Sequence, residues 1–192
     1  MKQVFSKLKK SPFIGCDIDG VLKKGKLAIP KAAESIKFIR DKNIPLLLIT
    51  NAGGNLESVH ASYINSILNF QNDEKYKIKD NEIILCHSPM RSLYNKYKDK
   101  LILISGIYNY EDVIKQYGFN NFITVNEYAH IFHKELLPNK RFYTNNIDKL
   151  YTEYRKRVEK RLNISLDKFP KVDCIFNMTD IRDLFESVQV RR

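Results

Sequence analysis

The sequence predicts an α/β protein built on parallel sheets, and two observations lead to that prediction. Short apolar runs of strand length alternate along the chain with segments whose apolar residues recur at helical spacing. Such an alternation of strands and helices is typical of a parallel α/β sheet. The chain has 192 residues, of which 43% are hydrophobic, and this is enough to bury the core of one ordinary domain or of two small ones.

The predicted elements follow one another regularly. Strands are expected near residues 13–17, 44–49, 83–86, 101–104, 121–125 and 172–176, and helices near residues 30–43, 56–70, 90–98, 111–117, 126–136, 147–162 and 181–190. Pro30 opens the first helix, because its fixed φ suits the first helical position. Helical spacing places Phe38 on the apolar side of that helix, and Val59, Tyr63 and Phe70 on that of the second.

Two carboxylates lie at the end of the first predicted strand. Residues two apart in an extended segment point to the same side, so Asp17 and Asp19 can converge on one ligand, and Gly20 allows a sharp turn. Ligands bind beyond the carboxyl ends of strands in parallel α/β sheets. Carboxylates this close need a metal ion, or a division of roles between a nucleophile and an acid/base. The alternative is an ordinary turn rich in aspartate.

The second predicted strand ends in a small polar segment. Thr50, Asn51 and Gly53 can offer a hydroxyl group and backbone amides to an anion. Together with the two carboxylates, these groups suit phosphoryl transfer, with magnesium joining a carboxylate to the phosphate. The basic segment 23–26, which follows the first strand, could form a small flap over such a site.

These two strand ends resemble a known family. Residues 17–22 after an apolar strand, followed by residues 47–53, are similar to the first two motifs of the haloacid dehalogenase-like hydrolase superfamily. Further segments resemble its class IIA branch, and within it the cat-eye-syndrome critical-region type hydrolases; they are residues 87–90, 117–119, 123–125 and 167–170. The resemblance runs from about Phe13 to Val190.

The resemblance implies a fold and a set of roles. The fold would be a partial Rossmann-like core over residues 1–98 with a partial α/β cap over residues 99–192. Asp17 would be the nucleophile and a Mg2+ ligand, and Asp19 would be the general acid/base and would offer its backbone carbonyl to the metal. Thr50 would bind the phosphoryl group, assisted by Asn51 and Gly53 at the same strand end. The implied reaction is hydrolysis of a small phosphomonoester through an aspartyl-phosphate.

One part of the family pattern is not matched. Members carry a third-motif lysine and fourth-motif acids after the cap, whereas this sequence ends within the region that matches the cap. We therefore expect a fragment of a longer hydrolase or a shortened, catalytically impaired relative, with a non-catalytic binding module as the alternative. Asp180 and Asp183 follow a predicted strand, but their surroundings resemble the cap more than the fourth motif.

Composition and charge limit the classes of partner that the sequence predicts. The formal net charge is +11, but the basic residues are scattered among Asn, Ile and Tyr, so we expect a small phosphorylated substrate rather than nucleic acid. No segment has the length and apolar character of a membrane span or of a signal-peptide core, so no membrane partner is expected. A homo-oligomer remains open.

The cysteines and the N-terminus bear on the compartment. Cys16, Cys86 and Cys174 are widely spaced and are expected to be buried thiols of a reducing compartment. This favours the cytoplasm, with the mitochondrion as the alternative because residues 1–10 are basic and lack acids.

Three weaker candidates receive structural interpretations. His130 and His133 share a predicted helix face without a third metal ligand, so we interpret them as ordinary histidines. Ser88 is expected to cap the helix that Pro89 begins. The basic cluster 155–161 is expected to be the solvated face of an amphipathic helix rather than a phosphate grip.

Overall fold

A computed structural model describes residues 13–106, 108–132, 147–167 and 171–178 of the chain. The described residues form two compact units, one ending at Ser88 and the other beginning at Pro89. Both units combine helices with parallel strands, which confirms the predicted α/β class. The predicted boundary between core and cap after residue 98 falls later than this division, and the core and cap assignments stay predictions.

The first unit is built on a three-stranded parallel sheet. Its elements are β1 (Ile14–Asp17), β2 (Lys23–Lys24), β3 (Leu27–Ala28), α1 (Ala32–Asp41), β4 (Leu46–Ile49), α2 (Glu57–Leu68) and β5 (Ile83–Ile84). The sheet order is β1-β4-β5, and β2 pairs with β3 as a separate antiparallel hairpin. Apolar side chains of the sheet and both helices form the core, among them Ile36, Leu48 and Ile64, all at most 1% exposed.

The apolar stripes predicted for the first two helices are partly wrong. Phe38 is 61% exposed and Val59 is 51% exposed, while Tyr63 is also exposed. The buried apolar side chains of α2 are Ala61, Ile64 and Leu68. Apolar residues occur on more than one side of these helices, and packing against the sheet selects only one of those sides.

The second unit contains another three-stranded parallel sheet. Its elements are α3 (Tyr94–Tyr97), β6 (Ile102–Gly106), α4 (Tyr110–Gln116), β7 (Phe122–Thr124), α5 (Val125–Phe132), α6 (Ile147–Leu162) and β8 (Cys174–Met178), in the sheet order β7-β6-β8. A 3₁₀ segment, Ser88–Leu93, precedes α3. The predicted helix at 181–190, together with Asp180 and Asp183, lies outside the described residues.

The basic cluster on α6 is a solvated face only in part: Lys156, Arg157 and Lys160 are exposed as predicted, whereas the Arg161 side chain is only 13% exposed, so the prediction is wrong for that arginine. Arg161 donates to both carboxylate oxygens of Glu127, at 3.2 and 2.6 Å, and Arg157 Nε lies 2.8 Å from Glu127 Oε1. Glu127 is completely buried and also accepts the Thr124 amide at 2.9 Å. A buried carboxylate is costly unless it is compensated, so these arginines have a structural role in the second unit.

Other predictions meet mixed outcomes. Cys86 is exposed, and Cys16 and Cys174 are only half-buried, so the prediction of three buried thiols is wrong. His130 is buried and its Nδ1 lies 2.7 Å from the Asn126 carbonyl oxygen, whereas His133 lies outside the described residues. No helix within the described ranges is long and apolar enough to cross a membrane.

An ion pair connects α1 to the 3₁₀ turn Asp80–Glu82, which leads into β5. Arg40 Nη1 and Nη2 donate to the two carboxylate oxygens of Glu82, each at 2.6 Å, and Glu82 Oε2 also accepts the Lys79 amide at 2.9 Å. Burial alone would raise the pKa of Glu82, but the Arg40 guanidinium and the Lys79 amide outweigh burial, and the pKa is lowered from its usual 4.5.

Glu82→Gln should lower the free energy of unfolding by about 1–2 kcal/mol at pH 7, because it replaces charge-assisted hydrogen bonds with neutral ones. Since the carboxyl pKa is lower in the folded state, this stabilisation is present above about pH 4.5 and is lost as the pH falls through the folded-state value. Urea denaturation at several pH values measures both effects.

The control is Glu74→Gln, because Glu74 is exposed and its ion-pair partner, Lys77, is only three residues away. We expect no measurable change in stability for this variant. An equal loss in both variants, or a Glu82→Gln effect that persists unchanged at low pH, would contradict the role assigned to the Arg40 pair.

Candidate active site

The candidate site begins where two parallel strands end at the same level. Asp17 is the last residue of β1 and Ile49 is the last residue of β4, and the two are aligned in the parallel pairing. Asp17 is exposed, and Thr50 directly follows β4 and is only 6% exposed. The Thr50 amide donates to the Ile84 carbonyl at 3.0 Å, which connects the end of β4 to β5. The carboxylate and the hydroxyl group therefore follow adjacent strands at one edge of the sheet.

A compact turn follows β1 and holds the second carboxylate. The Ile18 carbonyl accepts the amides of Leu22 and Lys23 at 2.9 and 3.1 Å, and Gly20 has a φ of 88°, which favours glycine. Ile18 and Leu22 are buried, whereas Asp17 and Asp19 are exposed. The two apolar side chains anchor the turn in the core, and the carboxylates on either side of Ile18 are left accessible.

Asp19 has a cationic partner that sequence analysis did not assign. Lys23, the first residue of β2, makes an ion pair with Asp19 through Nζ and Oδ1. Its ammonium also lies 5.7 Å from the centre of the Tyr63 ring on α2. The basic segment 23–26 lies in the β2–β3 hairpin, and one of its lysines contacts the acidic turn; its role as a flap stays a prediction. The only sequence signal for this contact was the basic segment 23–26.

The segment after β4 has the features of an anion-binding loop. The Thr50 hydroxyl oxygen accepts the Ala52 amide at 3.1 Å, an arrangement that leaves the hydroxyl hydrogen able to donate. Asn51 is exposed. A Cβ atom on Gly53 would lie 2.7 Å from Cys86 Sγ, so a larger residue there would displace the Cys86 side chain. The Cys86 amide donates to the Ala52 carbonyl at 3.2 Å and joins the two loops.

A buried hydrogen bond joins the loop after β5 to the start of α2. Ser88 Oγ donates to Glu57 Oε1 at 2.6 Å and accepts the Leu85 amide at 2.8 Å. Glu57 is the first residue of α2 and is 4% exposed, and its position at a helix N-terminus favours a negative charge. Ser88 is the first residue of the 3₁₀ segment, and its hydroxyl oxygen accepts the preceding Leu85 amide rather than an amide of a following helix, so the predicted capping role is not observed.

Two histidines lie close to the same loops. His87 is buried, and its Nε2 lies 3.1 Å from the Asn55 carbonyl oxygen. Burial lowers the pKa of His60 from 6.5, although the Gly53 carbonyl and the charges of Asp19 and Glu57 act in the opposite direction. His60 is therefore a neutral imidazole at pH 7, and it adds no positive charge to the site.

The donors that this turn offers are oxygen atoms, which are the kind of ligand that Mg2+ accepts. Among the residues that the structure describes, no group of three or more His, Cys, Asp or Glu side chains could hold a metal ion. Mg2+ needs less from the protein, since one or two carboxylates with waters and substrate phosphate usually bind it. The exposed Asp17 carboxylate and the Asp19 backbone carbonyl could therefore hold it without breaking the Lys23 ion pair.

The fold is a Rossmann-like α/β arrangement whose polar groups gather at the carboxyl ends of parallel strands. The family model of haloacid dehalogenase-like hydrolases matches residues 14–120, more than half of the chain. The chain belongs to this family, and the superfamily resemblance found in the sequence is confirmed.

Individual relatives agree with the family assignment. The chain is 27% identical over 189 residues to a mitochondrial hydrolase of Saccharomyces cerevisiae, covering 98% of this chain and 48% of that protein. It is 32% identical over 106 residues to a cardiolipin synthase and mitochondrial hydrolase fusion protein of Schizosaccharomyces pombe, covering 55% of this chain and 17% of the fusion. The chain thus spans about half the length of the first relative.

A solved structure of a nagD protein has the same fold. It superposes with a TM-score of 0.50 at 13% sequence identity, covering 95% of this chain and 78% of that chain. A likeness at this level of identity shows the fold alone.

Ser88→Ala should open the loop after β4. The variant removes two hydrogen bonds, one to the buried Glu57 carboxylate and one from the Leu85 amide. We expect a loss of about 1–3 kcal/mol in the free energy of unfolding. We also expect faster hydrogen exchange at the amides of Ala52 and Cys86, measured by NMR.

Ser66→Ala is the matched control, since the Ser66 hydroxyl donates to the Tyr63 carbonyl within exposed helix surface. Ser88→Thr retains a hydroxyl group and should recover most of the lost protection. Unchanged exchange at Ala52 and Cys86 in Ser88→Ala would refute the supporting role of this contact.

Proposed function

We propose that the chain carries the nucleophile and the phosphate-binding loop of a magnesium-dependent phosphatase site that acts on a small phosphomonoester. The observation that carries this proposal is the alignment of Asp17 with Ile49, which brings an exposed carboxylate level with the Thr50 loop. Membership in a hydrolase family supports the reaction class. A segment of 36 residues that is 56% identical to the ribonucleotide monophosphatase NagD of Escherichia coli supports a phosphorylated substrate and the class IIA branch.

The proposed chemistry divides the work between the two carboxylates. An Asp17 oxygen forms a bond to phosphorus while the ester bond to the leaving oxygen breaks, and Asp19 supplies a proton to that oxygen. A water oxygen then forms a bond to the phosphorus of the aspartyl-phosphate while the bond from the Asp17 oxygen to phosphorus breaks, Asp19 takes the water's proton, and inorganic phosphate leaves with the Asp17 carboxylate restored. The Thr50 hydroxyl and the nearby backbone amides, including those of Asn51 and Gly53, hold the phosphoryl oxygens.

Bound magnesium would neutralise phosphate charge and orient the phosphoryl group against the nucleophile. Asp17 and the backbone carbonyl of Asp19 are the groups of this chain that we propose as its ligands. The second unit would act as the cap of the family, and its described residues start at Pro89 rather than at residue 99.

The relatives also bear on the compartment. Two of them are named as mitochondrial hydrolases, which favours the mitochondrion over the cytoplasm for this chain. Nucleic acid and membrane surfaces are not proposed as partners, and self-association stays a prediction.

Asp17→Asn should lower phosphate release from p-nitrophenyl phosphate by at least about a thousandfold, because an amide cannot serve as the nucleophile. The measurement compares the purified chain and the variant with and without Mg2+. Treatment with hydroxylamine during turnover should trap the acyl-phosphate on Asp17 of the parent chain and nothing on the variant.

The control is Asp80→Asn, which removes the same charge at the amino-terminal end of β5, where the Asp80 carboxylate accepts only the adjacent Asn81 amide. Its turnover should match that of the parent chain. Turnover that survives Asp17→Asn would refute the proposed nucleophile. Binding of Mg2+ and phosphate that requires Asp17 but gives no turnover would favour the non-catalytic binding module.

A further inference from the structure

Lys23 differs from its neighbours in the β2–β3 hairpin. Its side chain is only 13% exposed, whereas Lys24 and Lys26 are exposed. Both backbone polar groups of Lys23 are hydrogen-bonded. The Lys23 amide donates to the Ile18 carbonyl, and the Lys23 carbonyl accepts the Gly20 amide at 2.8 Å. The lysine is thus anchored to the same turn that carries Asp19.

The side chain of Lys23 also has a defined position, because it contacts two other side chains. Its ammonium pairs with Asp19 and lies 5.7 Å from the centre of the Tyr63 ring, so an aromatic face and a carboxylate define its position. A lysine that pairs only at the surface keeps its long stem in water and gains little from the contact. Lys23 instead buries its stem beside the acidic turn.

The charges around Lys23 bear on how this site would receive a phosphate group. Asp17 and Asp19 are both exposed within the same turn, and a phosphate that approaches them brings further negative charge. His60, the titratable group that faces the turn from α2, is neutral at pH 7 because burial lowers its pKa. Among the residues that the structure describes, Lys23 is the cation that pairs with Asp19.

We infer that Lys23 is a phosphate-binding residue of this site, whose ammonium pairs with Asp19 in the free site and donates to the phosphoryl oxygens of a bound ligand. An ammonium has three donors, so pairing with Asp19 leaves others for phosphate. This inference rests on the proposed function, since it assigns a further ligand contact to the same site. It also predicts competition, because Lys23 and Mg2+ are both cations beside the same acids.

The test measures the binding of inorganic phosphate and of Mg2+, each alone, by titration calorimetry with the full chain. Lys23→Met should weaken phosphate binding about tenfold or more, because it removes a charge-assisted contact. The same variant should tighten Mg2+ binding about threefold or more, because a like charge is removed. Lys23→Arg keeps the charge and should retain most of the phosphate affinity, although its geometry differs.

Lys24→Met is the matched control, since it removes the same charge from the next residue of the hairpin, which is exposed. It should change both affinities less than about twofold, as expected for a screened surface charge. Opposite shifts in the two affinities confined to Lys23→Met would support the inference, because a loss of structure would weaken both.

Equal effects of Lys23→Met and Lys24→Met would overturn the inference and assign the effect to overall charge. Weakening of both ligands by Lys23→Met, without recovery in Lys23→Arg, would overturn it in favour of a structural lysine. Phosphate binding that requires Thr50 but not Lys23 would overturn this inference while the proposed function stands. Absence of phosphate and Mg2+ binding in the parent chain would overturn both.

Discussion

The candidate site depends on the register of one parallel strand pair. Four consecutive residues of β1 are aligned with four of β4, and this pairing makes both strands end level. A slip by one residue would move every side chain of one strand to the opposite face. The core prevents such a slip, because Leu48 is fully buried and Ile18 and Leu22 anchor the turn that follows β1. The position of the Asp17 carboxylate is thus a consequence of core packing.

Both units keep a buried carboxylate near the start of a helix that follows a strand. Glu57 begins α2 and contacts Ser88, and Glu127 lies in the first turn of α5 and contacts Thr124 and two arginines. Helix N-termini favour negative charge, and hydrogen-bond donors around each carboxylate offset its loss of hydration. In the first unit this arrangement supports the loop after β4; in the second it joins α6 to α5 and to the end of β7.

Overall charge says little about the site. The chain carries a formal net charge of +11, yet the charges that matter at the strand ends are two acids and one half-buried lysine. Several other basic residues neutralise structural carboxylates, as Arg40 does for Glu82 and Arg161 for Glu127. The lysines and arginines that the structure describes thus include structural partners, solvent-exposed charges and Lys23 beside the acidic turn.

The sequence by itself determined the α/β class, most of the elements and the two strand ends, because strand-length apolar runs and short polar motifs are local properties. Only the tertiary structure decided which helix face is buried, that Ser88 contacts Glu57, and that Lys23 pairs with Asp19. Such contacts join side chains from separate elements or turn a side chain toward one of several neighbours. Spacing along the chain does not encode those choices, since they arise from packing and from the need to compensate buried charge.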